Sequence, residues 1–284
     1  MFDVIRKLVR VSRPVSWVNT AFPFAATYVV LGGALDLLFF IGTLFFLIPY
    51  NLLMYGVNDV YDYDSDIRNP RKGSIEGAAE ARSFHPTILN ASTWLALPFL
   101  VLMIALSSAE ASLILLLVMF FVVAYSYKGF RFKEIPVLDS ITSSFHFVGP
   151  MVYAIAVLGF QAEAWPYALA LFLWGIASHA FGAVQDIIPD RKGNLKSIAT
   201  IFGARITVWF SALLYSAAAA IVLARGGLAM IVGLAGILYL ANVMQYLHIT
   251  DKNSATANHG WRRFILLNYV VGAIVTITLL LSVL

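Results

Sequence analysis

Nine stretches of this 284-residue chain are continuously apolar, near 15–35, 37–57, 87–107, 110–126, 140–159, 165–184, 206–224, 228–247 and 264–284. Roughly 20 apolar residues is the length a helix needs to cross the hydrocarbon core of a bilayer. Hydrophobic residues make up 61% of the sequence and charged residues 12%, and the mean hydropathy is +0.84. No soluble domain has that balance. The expectation is a polytopic membrane protein with about nine transmembrane helices.

Charge placement supports that count. With the first helix entering from the end that carries Arg6, Lys7, Arg10 and Arg13, alternate loops collect 18 of the 19 Lys and Arg residues, and only Arg225 falls on the other side. Cationic loops stay in the cytoplasm, so this asymmetry predicts a cytoplasmic N-terminus. The basic start runs through Pro14 into a full-length span with no small-residue cleavage site, and is read as a retained first helix. The chain has no cysteine, which excludes thiol catalysis, disulfides and thiolate metal sites. Its net charge of +4 restates the loop bias and gives no support for nucleic-acid binding.

Two acidic clusters interrupt the apolar pattern. Asn58-Asp59-Val60-Tyr61-Asp62-Tyr63-Asp64-Ser65-Asp66 closes the second run, and Asp186-Ile187-Ile188-Pro189-Asp190 closes the sixth. A carboxylate at the centre of a spanning helix costs roughly 2.5–3.5 kcal/mol, so carboxylates crowded at helix ends call for metal ions or cationic ligands. Asn58, Asp62 and Asp66 step by four, as do Asp186 and Asp190, which places each set on one helix face. Each cluster precedes a similar tail, 66–73 and 190–193, four helices apart. That suggests a weak parallel repeat within a single domain spanning 1–284. Both clusters would face the cytoplasm, and the polar loop near 58–86 could cap a site there.

Hard Mg2+ is commonly held by one or two carboxylates, waters and substrate phosphates. Acidic clusters ringed by Lys128, Arg131, Lys133, Arg191 and Lys192 suit a diphosphate bridged by Mg2+. The apolar, aromatic remainder suits a lipid-soluble substrate. A diphosphate leaving group on a greasy chain points to prenyl transfer.

Asn58-Asp59-x-x-Asp62-x-x-x-Asp66 and Asp186-x-x-x-Asp190 resemble the two aspartate-rich motifs of the UbiA superfamily of intramembrane prenyltransferases. Tyr125-Ser126 with Arg131-Phe132-Lys133 before Pro136 resembles that family's third cytoplasmic motif. The likeness spans nearly the whole chain. It implies an all-α fold around a central cavity open sideways to lipid, two Mg2+ ions, and an acceptor prenylated by an allylic diphosphate. It also implies that Asn58, Asp62, Asp66, Asp186 and Asp190 ligate Mg2+, directly or through water, with Asp62, Asp66, Asp186 and Asp190 carrying catalysis and Asp59 acting behind them. Lys133, Arg131, Lys128, Lys192, Tyr125 and Arg13 become the residues that hold diphosphate. Asn69-Pro70-Arg71-Lys72, the stretch 178–186 and Asn268-Tyr269 are similar to the lycopene elongase branch, which adds C5 units from dimethylallyl diphosphate to the ends of lycopene. Lys128-Gly129 stands where quinone- and chlorophyll-type relatives often carry a Pro pair, and Asn69-Pro70-Arg71-Lys72 replaces their usual Arg-Pro segment.

Other readings accompany these residues. Asp64, two positions from Asp62, should point away from the metal face into solvent. Arg6, Lys7 and Arg10 serve as topology signals. Asn19 is expected to be buried early in the first helix and to bond between helices, with orientation of an Asp or of diphosphate as the alternative. His146 and His179, inside predicted spans, are read as hydrogen-bonded packing residues; the alternative is acceptance of the product's proton. Alternative acceptors are an aromatic quinone precursor or a glycerophosphate lipid. A cation-coupled transporter is the reading from another class, although its acids would be expected near the midplane on broken helices.

Overall fold

The computed structural model describes residues 2–67 and 80–283, and among these there are helices and turns but no strands. By contacts the chain divides into two compact units, Met1–Phe132 with His146–Gln161, and Lys133–Phe145 with Ala162–Leu284.

The first unit contains α1 (Phe2–Val11), α2 (Trp17–Val30), α3 (Leu37–Leu47), α4 (Pro49–Asp66), α5 (His85–Leu106), α6 (Ala109–Ser126) and the later part of α7 (Leu138–Val157). The second contains the start of α7, then α8 (Trp165–Val184), α9 (Ile187–Lys192), α10 (Ile198–Leu223), α11 (Ala229–Met244) and α12 (Ala257–Val283). Each expected span contains a helix among the described residues. Seven helical stretches among the described residues are long and apolar enough to cross a membrane, one of them formed by α3 and α4 together. Helices α2, at 14 residues, and α11, at 16, are shorter. Gly32, at φ 81°, follows α2, and Pro14 precedes it, so the span expected at 15–35 is trimmed at both ends.

The break between α3 and α4 follows from Pro49, which has no N–H to continue the ladder. Carbonyls left open there are taken by side chains. Thr20 Oγ1 donates to the Phe46 carbonyl at 2.7 Å, and Asn51 Nδ2 donates to the Phe46 and Leu47 carbonyls at 2.9 and 3.1 Å. Around this joint Phe24, Phe45, Phe46, Tyr50 and Tyr153 form an aromatic core, with Phe24 and Tyr153 stacked at 5.8 Å. Thus α4 is rooted in the core before it reaches its acidic end. Asn19 is exposed, contrary to expectation, and the interhelical bonding falls to its neighbour Thr20, which also accepts from Asn51 Nδ2 at 2.6 Å.

In the second unit, α8 and α9 are separated at Gln185 and Asp186, and Pro189 within α9 cannot donate to the Gln185 carbonyl four residues back. Helix α9 closes with Asn194 in the left-handed region at φ 56°, the Leu195 N–H on the Asp190 carbonyl at 2.9 Å and the Asn194 N–H on the Arg191 carbonyl at 3.2 Å. That is a Schellman closure. Helix α10 starts at a capping box made by Ser197 and Thr200, eight residues before the apolar run at 206 that marked it in the sequence.

Candidate active site

The first acidic cluster is helical throughout its backbone, because α4 continues to Asp66. The loop expected from residue 58 therefore begins later. The side chain of Asp66, the segment Asn69-Pro70-Arg71-Lys72 and the rest of 68–79 lie outside the described residues.

One turn of α4 aligns Asn58 with Asp62, and Asn58 Nδ2 donates to Asp62 Oδ2 at 2.7 Å. The same amide nitrogen donates to Ser126 Oγ at the end of α6, at 2.9 Å. Both amide hydrogens are used in this way, which leaves the carbonyl Oδ1 as the oxygen that Asn58 offers to a ligand. Asp59 and Asp62 are each 4% exposed. Carboxylates so buried require cationic partners. For Asp59 the partner is Arg13, whose Nη2 lies 2.6 Å from Oδ1 while its guanidinium covers the Tyr55 ring at 4.1 Å. Arg13 occupies the left-handed region, φ 51°, just beyond α1, and its N–H bonds back to the Arg10 carbonyl at 3.1 Å. Asp62 is approached by Arg131, with Nη1 3.8 Å from Oδ1, and the same nitrogen donates to the Tyr61 carbonyl at 3.4 Å. Arg131 also has positive φ, 46°, in the turn that closes on the Tyr127 carbonyl after α6. The first cluster and the arginine of the third motif thus meet within one unit.

The remaining predicted residues fall as follows. Tyr125 is half-buried, with its ring 5.1 Å edge-on from His146. His146 approaches the Phe121 carbonyl through Nε2 at 3.3 Å, and its own carbonyl accepts from Tyr50 at 2.9 Å. Lys128 is exposed. Asp64 points outward and pairs with Arg82, as its spacing implied. In the second unit Asp186 and Asp190 are partly buried, Lys133 is half-buried and Lys192 is exposed. His179 meets Ser140 Oγ through Nδ1 at 3.0 Å.

Among the stretches that resemble the carotenoid branch, Ser178 and Asn268 take part in packing. Ser178 Oγ bonds the Trp174 carbonyl at 2.7 Å and Tyr215 Oη at 2.9 Å. Tyr215 stacks on Tyr239 at 5.6 Å, and Tyr239 Oη donates to Asn268 Oδ1 at 2.9 Å. Ser178 and Asn268 are therefore the two ends of one chain of contacts that runs through buried Tyr215 and Tyr239.

Two carboxylates escaped the sequence reading. Asp139 is fully buried and accepts from the Ile198 N–H at 2.8 Å, anchoring the start of α10 to α7. Asp251 accepts from the Ala204 N–H at 2.7 Å and pairs with Arg191 at 2.7 Å. The signal for Asp251 was a glycine, Gly203, inside an apolar helix. Among the described residues no group of three or more His, Asp or Glu gathers into a metal cage.

Residues 20–279 match the UbiA prenyltransferase family. The C(50) beta-cyclic carotenoids biosynthesis protein LbtBC of Dietzia sp. (strain CQ4) is 50% identical over 276 residues, covering 96% of this chain and 64% of that protein. The chain thus spans less than two thirds of that relative. A lycopene elongase/hydratase of Corynebacterium glutamicum is 45% identical over 282 residues, 99% of this chain and 98% of that one. Among solved structures, a UbiA homolog from Archaeoglobus fulgidus bound to DMAPP and Mg2+ superposes with a TM-score of 0.63 at 19% identity, covering 93% of this chain and 98% of the other. At that identity the likeness establishes the fold.

Proposed function

This chain belongs to the UbiA prenyltransferase family, an integral multi-pass membrane enzyme, and on that premise we propose that it transfers a C5 prenyl group from dimethylallyl diphosphate to lycopene in a Mg2+-dependent reaction at its cytoplasmic side. The constellation of buried Asp62 with half-buried Asn58 and Arg131 is the observation that carries the chemistry. The names of the relatives at 50% and 45% identity support the acceptor.

The donor set fits a hard cation. Carboxylate oxygens and an amide carbonyl are the ligands Mg2+ takes, with phosphate and water filling its shell. Asn58, Asp62, Asp66, Asp186 and Asp190 are assigned to it, and two ions are expected. When bound, the metal neutralises charge that grows on the departing diphosphate.

The remaining work falls to the protein's own groups. Arg131, Lys133, Lys128, Lys192, Arg13 and Tyr125 are assigned to the diphosphate, where guanidinium and ammonium groups aimed at its oxygens favour departure over the bound state. The C–O bond breaks with its electron pair going to diphosphate. The terminal alkene of the acceptor then supplies the pair for the new C–C bond, and the resulting tertiary cation loses a proton or takes water. Aromatic faces shelter the cation, and exclusion of water limits its capture as an alcohol.

Expression in a lycopene-accumulating bacterial host, followed by mass spectrometry of the pigment extract, tests the proposal. Products heavier by one or two C5 units are expected. Unchanged lycopene beside clear prenylation of 4-hydroxybenzoate, a naphthoate or a glycerophosphate lipid would remove the carotenoid acceptor.

A further inference from the structure

Helix α10 is interrupted at Gly203, whose φ of 80° and ψ of 165° are open to glycine and strained for any other residue. In an unbroken helix the Ala204 N–H would reach the Thr200 carbonyl four residues back. Neither group is wasted. Ala204 N–H donates to Asp251 Oδ1 at 2.7 Å. The Thr200 carbonyl accepts from Arg191 twice, from Nε at 3.0 Å and Nη2 at 2.7 Å. Arg191 Nη1 then donates to Asp251 Oδ2 at 2.7 Å, which closes the ring. The two backbone groups released by the break are taken by the two members of one ion pair. The rigid fork of a guanidinium can serve a carbonyl on one edge and a carboxylate on the other, whereas a lysine presents a single point charge.

This ring matters because of what Arg191 is attached to. Helix α9 has six residues, too few to hold its shape without tertiary support. Ile187, fully buried in the core of the second unit, fixes its start. Arg191 lies four residues later on the same face, so both ends of that face are anchored. The adjacent face carries Asp186 and Asp190, and Lys192 follows directly.

We infer that Arg191 and Asp251 are positioning residues for the second acidic cluster: they clamp α9 to the break in α10 and thereby set Asp190 and Lys192, while Arg191 itself is withheld from the diphosphate. The inference rests on the proposed binding of an allylic diphosphate by that cluster.

The test measures the Kd of the detergent-solubilised full chain for dimethylallyl diphosphate with Mg2+, using only the folded, monodisperse fraction. No acceptor is needed. Arg191→Lys and Asp251→Asn should each weaken binding by about tenfold or more, as expected when a charged hydrogen-bond partner is lost. The double variant should bind no more weakly than the worse single, because both changes open the same ring. Failure of Lys to rescue at position 191 separates fork geometry from charge. If Arg191→Lys does not fold, Asp251→Asn, which keeps an oxygen for the Ala204 N–H, carries the test. Wild-type Kd in the folded variants, or losses that add, would overturn the clamp. A wild-type chain that does not bind dimethylallyl diphosphate with Mg2+ would overturn the donor reading and this inference with it.

Discussion

Asn58 and Asp62 stand one turn apart on α4 and are joined by a 2.7 Å hydrogen bond from the amide nitrogen to the carboxylate. A second bond from that amide ties Ser126 of α6 into the same group. The amide is thus oriented before any ligand arrives, with its oxygen the unused end. Such preorganisation would remove the cost of ordering these groups for the proposed cation and diphosphate.

Asp62→Ala and Asp186→Ala should each lower prenyl transfer by a factor on the order of a hundred or more, the scale of losing a metal ligand or its support. Membrane insertion and expression level should not change, since each substitution removes a carboxylate near a helix end and adds no polar group to an apolar stretch. Chelation of divalent cations by EDTA should abolish turnover, and added Mg2+ should restore it. Wild-type rates in either variant at equal expression would dismiss the role of that cluster.

Arg13 and Asp59 form an enclosed ion pair, with side-chain exposures of 15% and 2%. Arg13→Gln leaves a buried carboxylate without its guanidinium and should destabilise the protein by about 3 kcal/mol or more. Asp59→Asn in the same chain should recover most of that loss in thermal unfolding. If Arg13 also holds diphosphate, the double variant regains stability while its donor affinity stays low. Recovery of both would confine Arg13 to the ion pair.

Lys133→Gln should raise the donor concentration needed for half-maximal turnover and reduce the maximal rate. The loop should stay on its side of the membrane, because the other cations of that face still set orientation. Donor titrations in membranes, together with a topology reporter fused nearby, separate the two roles. A flipped loop with unchanged donor kinetics would show that Lys133 is a topology signal alone.

Lycopene, the proposed acceptor, is longer than the roughly 30 Å hydrocarbon core, so it cannot be enclosed and should enter from lipid with one end at a time. Its two ends are then processed in separate encounters. A mono-extended product should build up early in a time course with lycopene and dimethylallyl diphosphate, then decline as the doubly extended product appears. Direct appearance of the doubly extended product, with no lag, would argue for processing of both ends in one encounter.

Local regularities carried much of this protein into view before any coordinates. The apolar stretches mark the helices because a spanning segment must satisfy its backbone internally and show lipid an apolar surface over a set length. The four-residue step from Asn58 to Asp62 survives as one face of α4 because 3.6 residues per turn is a local property, and Asp186 stands at the N-cap of the short helix that carries Asp190. The break at Pro49 is a departure from the single run expected at 37–57, because residues on both sides of that proline are apolar. Helix ends were less legible. Capping at Ser197 and left-handed Gly32 shift boundaries that hydrophobicity alone cannot see.

Partner choice among charges belonged to the tertiary structure. Arg13 meets Asp59 across 46 residues, Arg131 approaches Asp62 across 69, and Arg191 meets Asp251 across 60. No spacing rule links residues so far apart. Arg191, grouped with the diphosphate cations by its place beside Asp190, turns instead to a break in α10 that a single glycine creates. The physical reason is that a buried or half-buried charge must be matched by whichever opposite charge or open backbone group the folded helices bring within reach. Which one that is depends on how the helices pack.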